Sequence, residues 1–542
     1  MNLASVFTRQ RAQLTLGSLG VVLLLFFLYN YLFHQEVQYY PSIRFDPHRS
    51  SHQTHSPEPT WEPGVRRVSR LHYLVPATQS KAPLCAGVAA ALANGYPIPR
   101  ILGYKGKGKW DAHAAHIAKL RTIQRYLDNV DAITFGSAKD DDLVIVVDGY
   151  DALPELPAGV MIERYFDIVA AADEKLAAKR GISVPELRAL GLQQTLLWGT
   201  DKGCFPPPAT DPRCWLVPFS DLPPYVWGPH SRREEHGKEY RQYTDSRFLN
   251  SGTVIGPLGD LRKFIHATLE YIEETFNPEH AFRNSDQYYI SSLYARQELQ
   301  RLLDLSGGQM TLEVQGDLPA PRSGPDDQTE YHLFVDYESA FTQTRCCNEV
   351  FIQKLSFRQN DLSATVTEDP FDDGWNFRPF DIHMPKPVFQ GLSYLYESIT
   401  ERELLPPDVR EWVASLAFYT NVATQHMIPF YHQTCSKAGF VEKYQDTWYY
   451  PIIRPLLRAA RKGNDLGRPL NPRLIDGRLW IAPQHYPLDA GGQDEFGGVF
   501  TDHEEEPFIS LTDFCKNDLE AILGTPPNPP SPQAETEASA AD

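Results

Sequence analysis

Asp148 and Asp151 stand three residues apart around Gly149 and Tyr150, directly after the apolar run Leu143-Val-Ile-Val-Val147. On a tight glycine-containing turn such a pair of carboxylates can converge on one hard cation. Mn²⁺ and Mg²⁺ take oxygen ligands and leave positions open for substrate phosphates. An ion so held can bind a nucleotide diphosphate and offset the charge that grows on it as a glycosidic bond breaks. An Asx-type turn, with Asp148 capping the segment that follows, accounts for the same spacing. The unbroken apolar strand favours the metal reading, because ligands of open α/β sheets bind at the carboxyl ends of the strands.

Three further groups carry polar chemistry. Lys119 shares a helical segment with His113 and His116, which equally describes a solvated helix face. Asn250-Ser-Gly252 interrupts the apolar run Phe248 to Ile255, and a glycine within a strand admits either a close-approaching ligand or a packing bulge. Asp286 follows Ser285, which can cap a helix, and the helix N-terminus stabilises a carboxylate there. An inverting transfer needs a general base beside the acceptor hydroxyl, for which Asp286 is the best candidate. A retaining transfer by internal return needs none, and the sequence does not decide between the two.

These residues need a frame, and from residue 70 the pattern is α/β. His72–Pro76 reads as a short buried strand, Leu84–Leu92 as an Ala-rich helix, Asn94–Pro97 as a turn and Arg100–Tyr104 as a second strand. Asp111 can cap a helix running to about Leu127, with Ile117, Leu120, Ile123 and Leu127 on its buried face. Leu143–Val147 is apolar on both faces, which predicts a place in the middle of a parallel sheet covered by helices. The alternation points to a Rossmann-like nucleotide-binding sheet flanked by helices.

Four pieces in series carry a resemblance: Leu74-Val-Pro-Ala-Thr78, Leu143-Val-Ile-Val-Val-Asp-Gly-Tyr-Asp151, Arg247-Phe-Leu-Asn-Ser-Gly-Thr-Val-Ile-Gly256 and Asn284-Ser-Asp-Gln287. Their order and spacing over roughly residues 70–300 resemble the glycosyltransferase domain of procollagen-lysine hydroxylases and its fungal single-domain relatives. A weaker likeness runs through Phe334–Ser339 to Pro429-Phe-Tyr-His-Gln433. The resemblance implies a GT-A fold and a UDP-sugar donor. It implies that Asp148 and Asp151 bind the metal, Tyr150 packs on the uridine base, Thr78 contacts the nucleotide and Lys119 lies beside the diphosphate. His432 resembles the third metal ligand, with His426 a lesser competitor. The family's usual form there is closer to His-His-Asn or His-Gly-Asn, whereas this chain has Tyr-His-Gln. By the same resemblance Asn250 lines the sugar pocket, Asp286 faces a sugar, and Gln287 assists. No hydroxylase iron triad is recognisable, so only the transferase activity is implied.

The N-terminus sets the compartment. Residues 14–33 carry no charge and match the ~20 residues that a helix needs to span a bilayer. Arg9 and Arg11 precede them and Glu36 follows, so residues 1–13 are expected in the cytosol, 14–33 as the transmembrane signal anchor and everything after residue 33 in the lumen. A cleaved signal peptide is the alternative, but the run exceeds the usual apolar core and lacks a small-x-small cleavage site. Residues 34–66 read as a stem, 67–460 as the transferase domain, 461–523 as an extension packed on it, and 524–542 as a disordered tail. A formal net charge of −18 argues against nucleic-acid binding. Cys204 and Cys214 flank a proline-rich loop that a disulfide can close in a secretory lumen. The other five cysteines have no readable pairing. No Asn-x-Ser/Thr sequon is present to mark the topology.

The expectation is therefore a single-pass type II protein of the Golgi or endoplasmic reticulum. It moves a hexose from a UDP-sugar to a hydroxyl on a protein or glycan, with Mn²⁺ or Mg²⁺. The rival is a catalytically inactive, membrane-anchored scaffold that keeps the fold. A glycoside hydrolase ranks below both, because its two carboxyl groups must stand ~5–10 Å apart across a cleft.

Overall fold

The computed structural model describes residues 67–106, 115–134, 136–205, 211–231, 238–307, 318–324, 326–488 and 493–524. The expected cytosolic tail, membrane anchor and stem lie outside the described residues, as do Asp111, His113 and all of the expected tail but Gly524. Among the described residues no helix is long and apolar enough to cross a membrane.

Strand β1 (Arg67–Pro76) begins five residues before the apolar pattern announces it. It is followed by α1 (Ala82–Ala93), β2 (Arg100–Leu102), α2 (Ala115–Asp128) and β3 (Leu143–Val147). The chain continues through β4 (Ala152–Pro154), β5 (Leu196–Asp201), β6 (Phe248–Pro257), α3 (Leu258–Thr275) and α4 (Asp286–Leu305). Then come β7 (Leu333–Val335), β8 (Thr342–Thr344), β9 (Phe430–His432), α5 (Ile453–Asp465), β10 (Arg478–Ile481), β11 (Gly498–Thr501) and β12 (Phe508–Ser510). Ser285 caps α4 as expected, its hydroxyl accepting from the Tyr288 N–H at 3.3 Å. Strand β2 is shorter than the sequence indicates, because Gly103 turns the chain at φ 78°.

The central sheet has nine strands in the order β12-β11-β2-β1-β3-β6-β5-β7, with β10 pairing with the start of β1. It is mixed and not parallel as expected. Strand β3 runs parallel to β1 but antiparallel to β6, and β6 is antiparallel to β5 as well. The parallel expectation rested on β3 being apolar on both faces, and that requires only that both faces be covered. Leu143, Ile145 and Val147 enter one core together with the side chains of α1. Val144 and Val146 enter another, shared with α2, α3 and α4. Ile117, Leu120, Ile123 and Leu127 supply the α2 side of that second core.

Residues 461–523 belong to this sheet. They supply β10, β11 and β12, and the boundary expected at 460 falls inside α5. A disulfide between Cys85 and Cys515, 430 positions apart, ties this segment to α1. Cys204 and Cys214 pair as expected, Cys346 pairs with Cys435, and Cys347 is a free thiol. A small sheet completes the frame: β9 runs antiparallel to β4, setting His432 opposite Ala152, and parallel to β8.

Candidate metal and nucleotide site

The turn after β3 is built by its neighbours. Val147 pairs with Thr253 of β6, and the next N–H, that of Asp148, donates to the Gly252 carbonyl at 2.8 Å. Gly149 lies on the end of β1, where an added Cβ would stand 3.0 Å from the Pro76 carbonyl oxygen and the Ala77 methyl. Only glycine fits there without moving backbone. The Tyr150 hydroxyl reaches across to the next turn, accepting from the N–H groups of Thr78 (3.2 Å) and Gln79 (3.1 Å) and donating to the Gln79 carbonyl (3.0 Å). The Asp151 carbonyl accepts from the Gln433 N–H at 2.7 Å, which locks the start of β4 to the end of β9.

That pairing brings His432 to the acid pair. Its Nε2 lies 3.5 Å from Asp151 Oδ2, and one ligand atom from each of Asp148, Asp151 and His432 lies within 4.8 Å of the others. His426, the competing histidine, pairs instead with Glu338 at 3.0 Å. Gly252 makes room for the imidazole: a Cβ added there would overlap the His432 ring. Asp151 Oδ1 and His432 Nδ1 are buried without a hydrogen-bond partner. Two carboxylates and an imidazole, two of the three carrying such an unsatisfied atom, form a donor set suited to a divalent cation of the Mn²⁺ type.

At Asp151 and His432 neighbouring charges oppose the effect of burial. Burial alone would raise the Asp151 carboxyl, but the charges of His432 and Lys437 outweigh it and hold it below the usual carboxylate range. Burial opposes charge on His432 too, yet the carboxylates of Asp151, Asp148 and Asp201 raise its pKa. Lys119 projects from α2 and is buried. Its ammonium stands 2.8 Å from Asp148 Oδ1 and 3.0 Å from Asp286 Oδ2, and donates to the Ser251 carbonyl at 2.9 Å. Desolvation works against that charge, and the two carboxylates more than restore it.

Asp286 is itself buried, with His116 Nδ1 3.4 Å from its other oxygen. Burial would raise it, but Lys119 and His116 hold it well below the ordinary range. In this conformation Asp286 anchors Lys119 and is not a free base. Both ends of the Asn250 amide are engaged: Nδ2 donates to Asp201 Oδ2 at 2.8 Å and Oδ1 accepts from the Gly252 N–H at 2.9 Å. The β5–β6 register shifts at this point, an irregularity of the kind that re-aims side chains beside sites. Gln287 braces the same strand, accepting from the Ser251 N–H at 3.2 Å.

Thr78, Lys119, Asp148, Tyr150 and Asp151 line one open cavity of about 900 Å³, while His432, Asn250 and Asp286 lie buried beneath it. The structure adds residues that carry no signal in the sequence. Lys437, exposed on the loop after β9, sets its ammonium 2.8 Å from Asp151 Oδ2. Tyr104 and Lys105 form part of the wall. Asp201, at the end of β5, is a buried acid pushed up by desolvation and bonded to Asn250. Neither a scan of protein-family models nor a search of curated proteins matches the chain.

Proposed function

We propose that the chain is a metal-dependent glycosyltransferase of GT-A type, moving a hexose from a UDP-sugar to a hydroxyl acceptor in the secretory pathway. The observation that carries the reading is the convergence of Asp148, Asp151 and His432 between two lysines at the base of one cavity. A mixed sheet with the acid pair at the carboxyl end of an internal strand supports the fold assignment. Three disulfides support a secretory lumen, and the uncharged segment 14–33 supports a type II anchor in the Golgi or endoplasmic reticulum membrane.

In this reading Asp148, Asp151 and His432 hold Mn²⁺ or Mg²⁺, which when bound neutralises the diphosphate leaving group. Lys119 and Lys437 supply the remaining positive charge beside the cavity, Lys119 from a buried position and Lys437 from an exposed loop. Tyr150 offers a ring face to the base, and the Thr78 turn that holds its hydroxyl lines the cavity beside it. Asn250 and Gln287 hold β6, so that Ser251 and Gly252 keep Lys119, Asp148 and His432 in place. Asp286 keeps Lys119 charged and aimed, and a role as general base would require that ion pair to open.

The test is UDP release from UDP-sugars by the purified full-length chain with Mn²⁺, with EDTA, and with Asp148→Ala plus Asp151→Ala. Release that needs Mn²⁺ and vanishes in the double variant supports the transferase and identifies the donor. No release, together with no calorimetric binding of UDP in the presence of Mn²⁺, would sink it in favour of an inactive scaffold.

A further inference from the structure

One wall of the cavity is the turn Gly103–Gly106, and residues from the far end of the chain hold it. The Gly103 N–H donates to Asp502 Oδ2 at 2.8 Å and the Tyr104 N–H to Asp502 Oδ1 at 3.1 Å, across 399 and 398 positions. The Asp502 N–H returns a bond to the Ile101 carbonyl at 3.2 Å, continuing the pairing of β11 with β2. Lys105 forms an ion pair with Glu506. The Tyr104 ring meets His503 edge-on and packs on Phe514.

The turn needs such support. Gly103, Lys105 and Gly106 all have positive φ, at 78°, 54° and 76°, and a lysine in the left-handed region stays there only when its surroundings hold it. The Lys105 N–H donates in turn to the Thr78 carbonyl at 2.8 Å. The turn therefore fixes the loop on which the Tyr150 hydroxyl is seated.

We infer that the C-terminal segment completes the nucleotide pocket, with Asp502 and Glu506 as positioning residues. They hold turn 103–106, and through it Thr78, in the conformation that receives a nucleotide. The inference rests on the nucleotide reading of the same cavity. Asp502 clamps the backbone, and Glu506 keeps the Lys105 ammonium at the rim. The metal ligands have supports of their own: β6 holds the Asp148 N–H, the end of β9 holds the Asp151 carbonyl, and β4 and β8 flank His432.

The test compares Asp502→Ala, Asp502→Asn and Glu506→Gln in the full-length chain. It measures binding of UDP with Mn²⁺ by calorimetry, binding of Mn²⁺ alone, and amide exchange over residues 101–106. We expect Asp502→Ala to weaken UDP by about tenfold, the cost of ordering the turn on binding, with Mn²⁺ affinity unchanged. Exchange at Gly103 and Tyr104 should accelerate. Asp502→Asn keeps one acceptor oxygen and should recover part of the loss, and Glu506→Gln should weaken UDP by less than Asp502→Ala. UDP binding by Asp502→Ala equal to that of the unsubstituted chain overturns the inference and leaves the transferase reading intact. So does a parallel loss of UDP and Mn²⁺ with a lowered unfolding temperature, which marks a merely structural role. Failure of the unsubstituted chain to bind UDP overturns both.

Discussion

Gly252 concentrates the demands of the site in one position. Its carbonyl holds the Asp148 N–H, its own N–H is held by Asn250, and its missing side chain gives His432 its space. Gly252→Ala must push the imidazole aside, at a cost of about 1–3 kcal/mol in a well-packed interior. We expect Mn²⁺ affinity, followed by electron paramagnetic resonance, to fall at least about tenfold, as it does when metal-site support is disturbed. Equal affinity would mean that His432 is not a ligand. Lys119 makes a different prediction. Lys119→Met leaves Asp148 and Asp286 without their shared cation, and breaking a buried pair from one side costs about 3–5 kcal/mol, readable by urea unfolding. Glu155, just beyond β4, is fully buried, one of its oxygens has no partner, and burial pushes its carboxyl up to about 8 from an ordinary 4.5. Between those values the folded chain binds a proton that the unfolded chain has released, so stability falls as pH rises from 4.5 towards 8. Glu155→Gln should remove that slope, stabilising the chain at pH 8 by at least about 1 kcal/mol and changing little at pH 5. Identical pH profiles for the two chains would contradict the burial account.

Among the elements, β9 is the one that assembles the candidate site. It is three residues long, and its direction is set by β4 on one side and β8 on the other. The Cys346–Cys435 disulfide closes the loop beyond it, two residues before Lys437. Strands β11 and β12 play the equivalent part for the Gly103–Gly106 wall, and the Cys85–Cys515 disulfide holds that end of the chain to α1. A crosslink spanning 430 positions excludes many conformations of the unfolded chain. Cys85→Ser with Cys515→Ser should lower unfolding free energy by about 2–5 kcal/mol in denaturant titrations. No change would mean that strand pairing alone secures the segment.

For the molecule as a whole, the 461–523 segment decides what can be separated. Removing it strips three strands from the nine-stranded sheet, exposes β2 as an edge, and uncovers the core shared by Phe496, Val499, Leu511 and Phe514. Exposed edges and apolar faces drive association. We expect residues 67–460 to be recovered as aggregate, and residues 67–524 to be monodisperse with one cooperative unfolding transition by light scattering and calorimetry. A monodisperse, cooperatively folding 67–460 would show that the C-terminal strands are dispensable.

Local chemistry already writes part of this protein into its sequence. Leu143–Val147, α1, α2 and the Ser285 cap are legible because side-chain periodicity and capping act over a few residues. The Asp148–Asp151 pair is legible because a turn sets its spacing, and Cys204–Cys214 because the loop between them is short. The direction of β6, the arrival of His432 and Lys437 beside Asp151, the burial of Asp286 under Lys119 and the Asp502 clamp on Gly103 are of another kind. Each depends on contacts between segments far apart in the chain, where no periodicity records which partner will be chosen. Burial and strand pairing make those choices together, and they turn an ordinary pair of aspartates into a site capable of holding a cation.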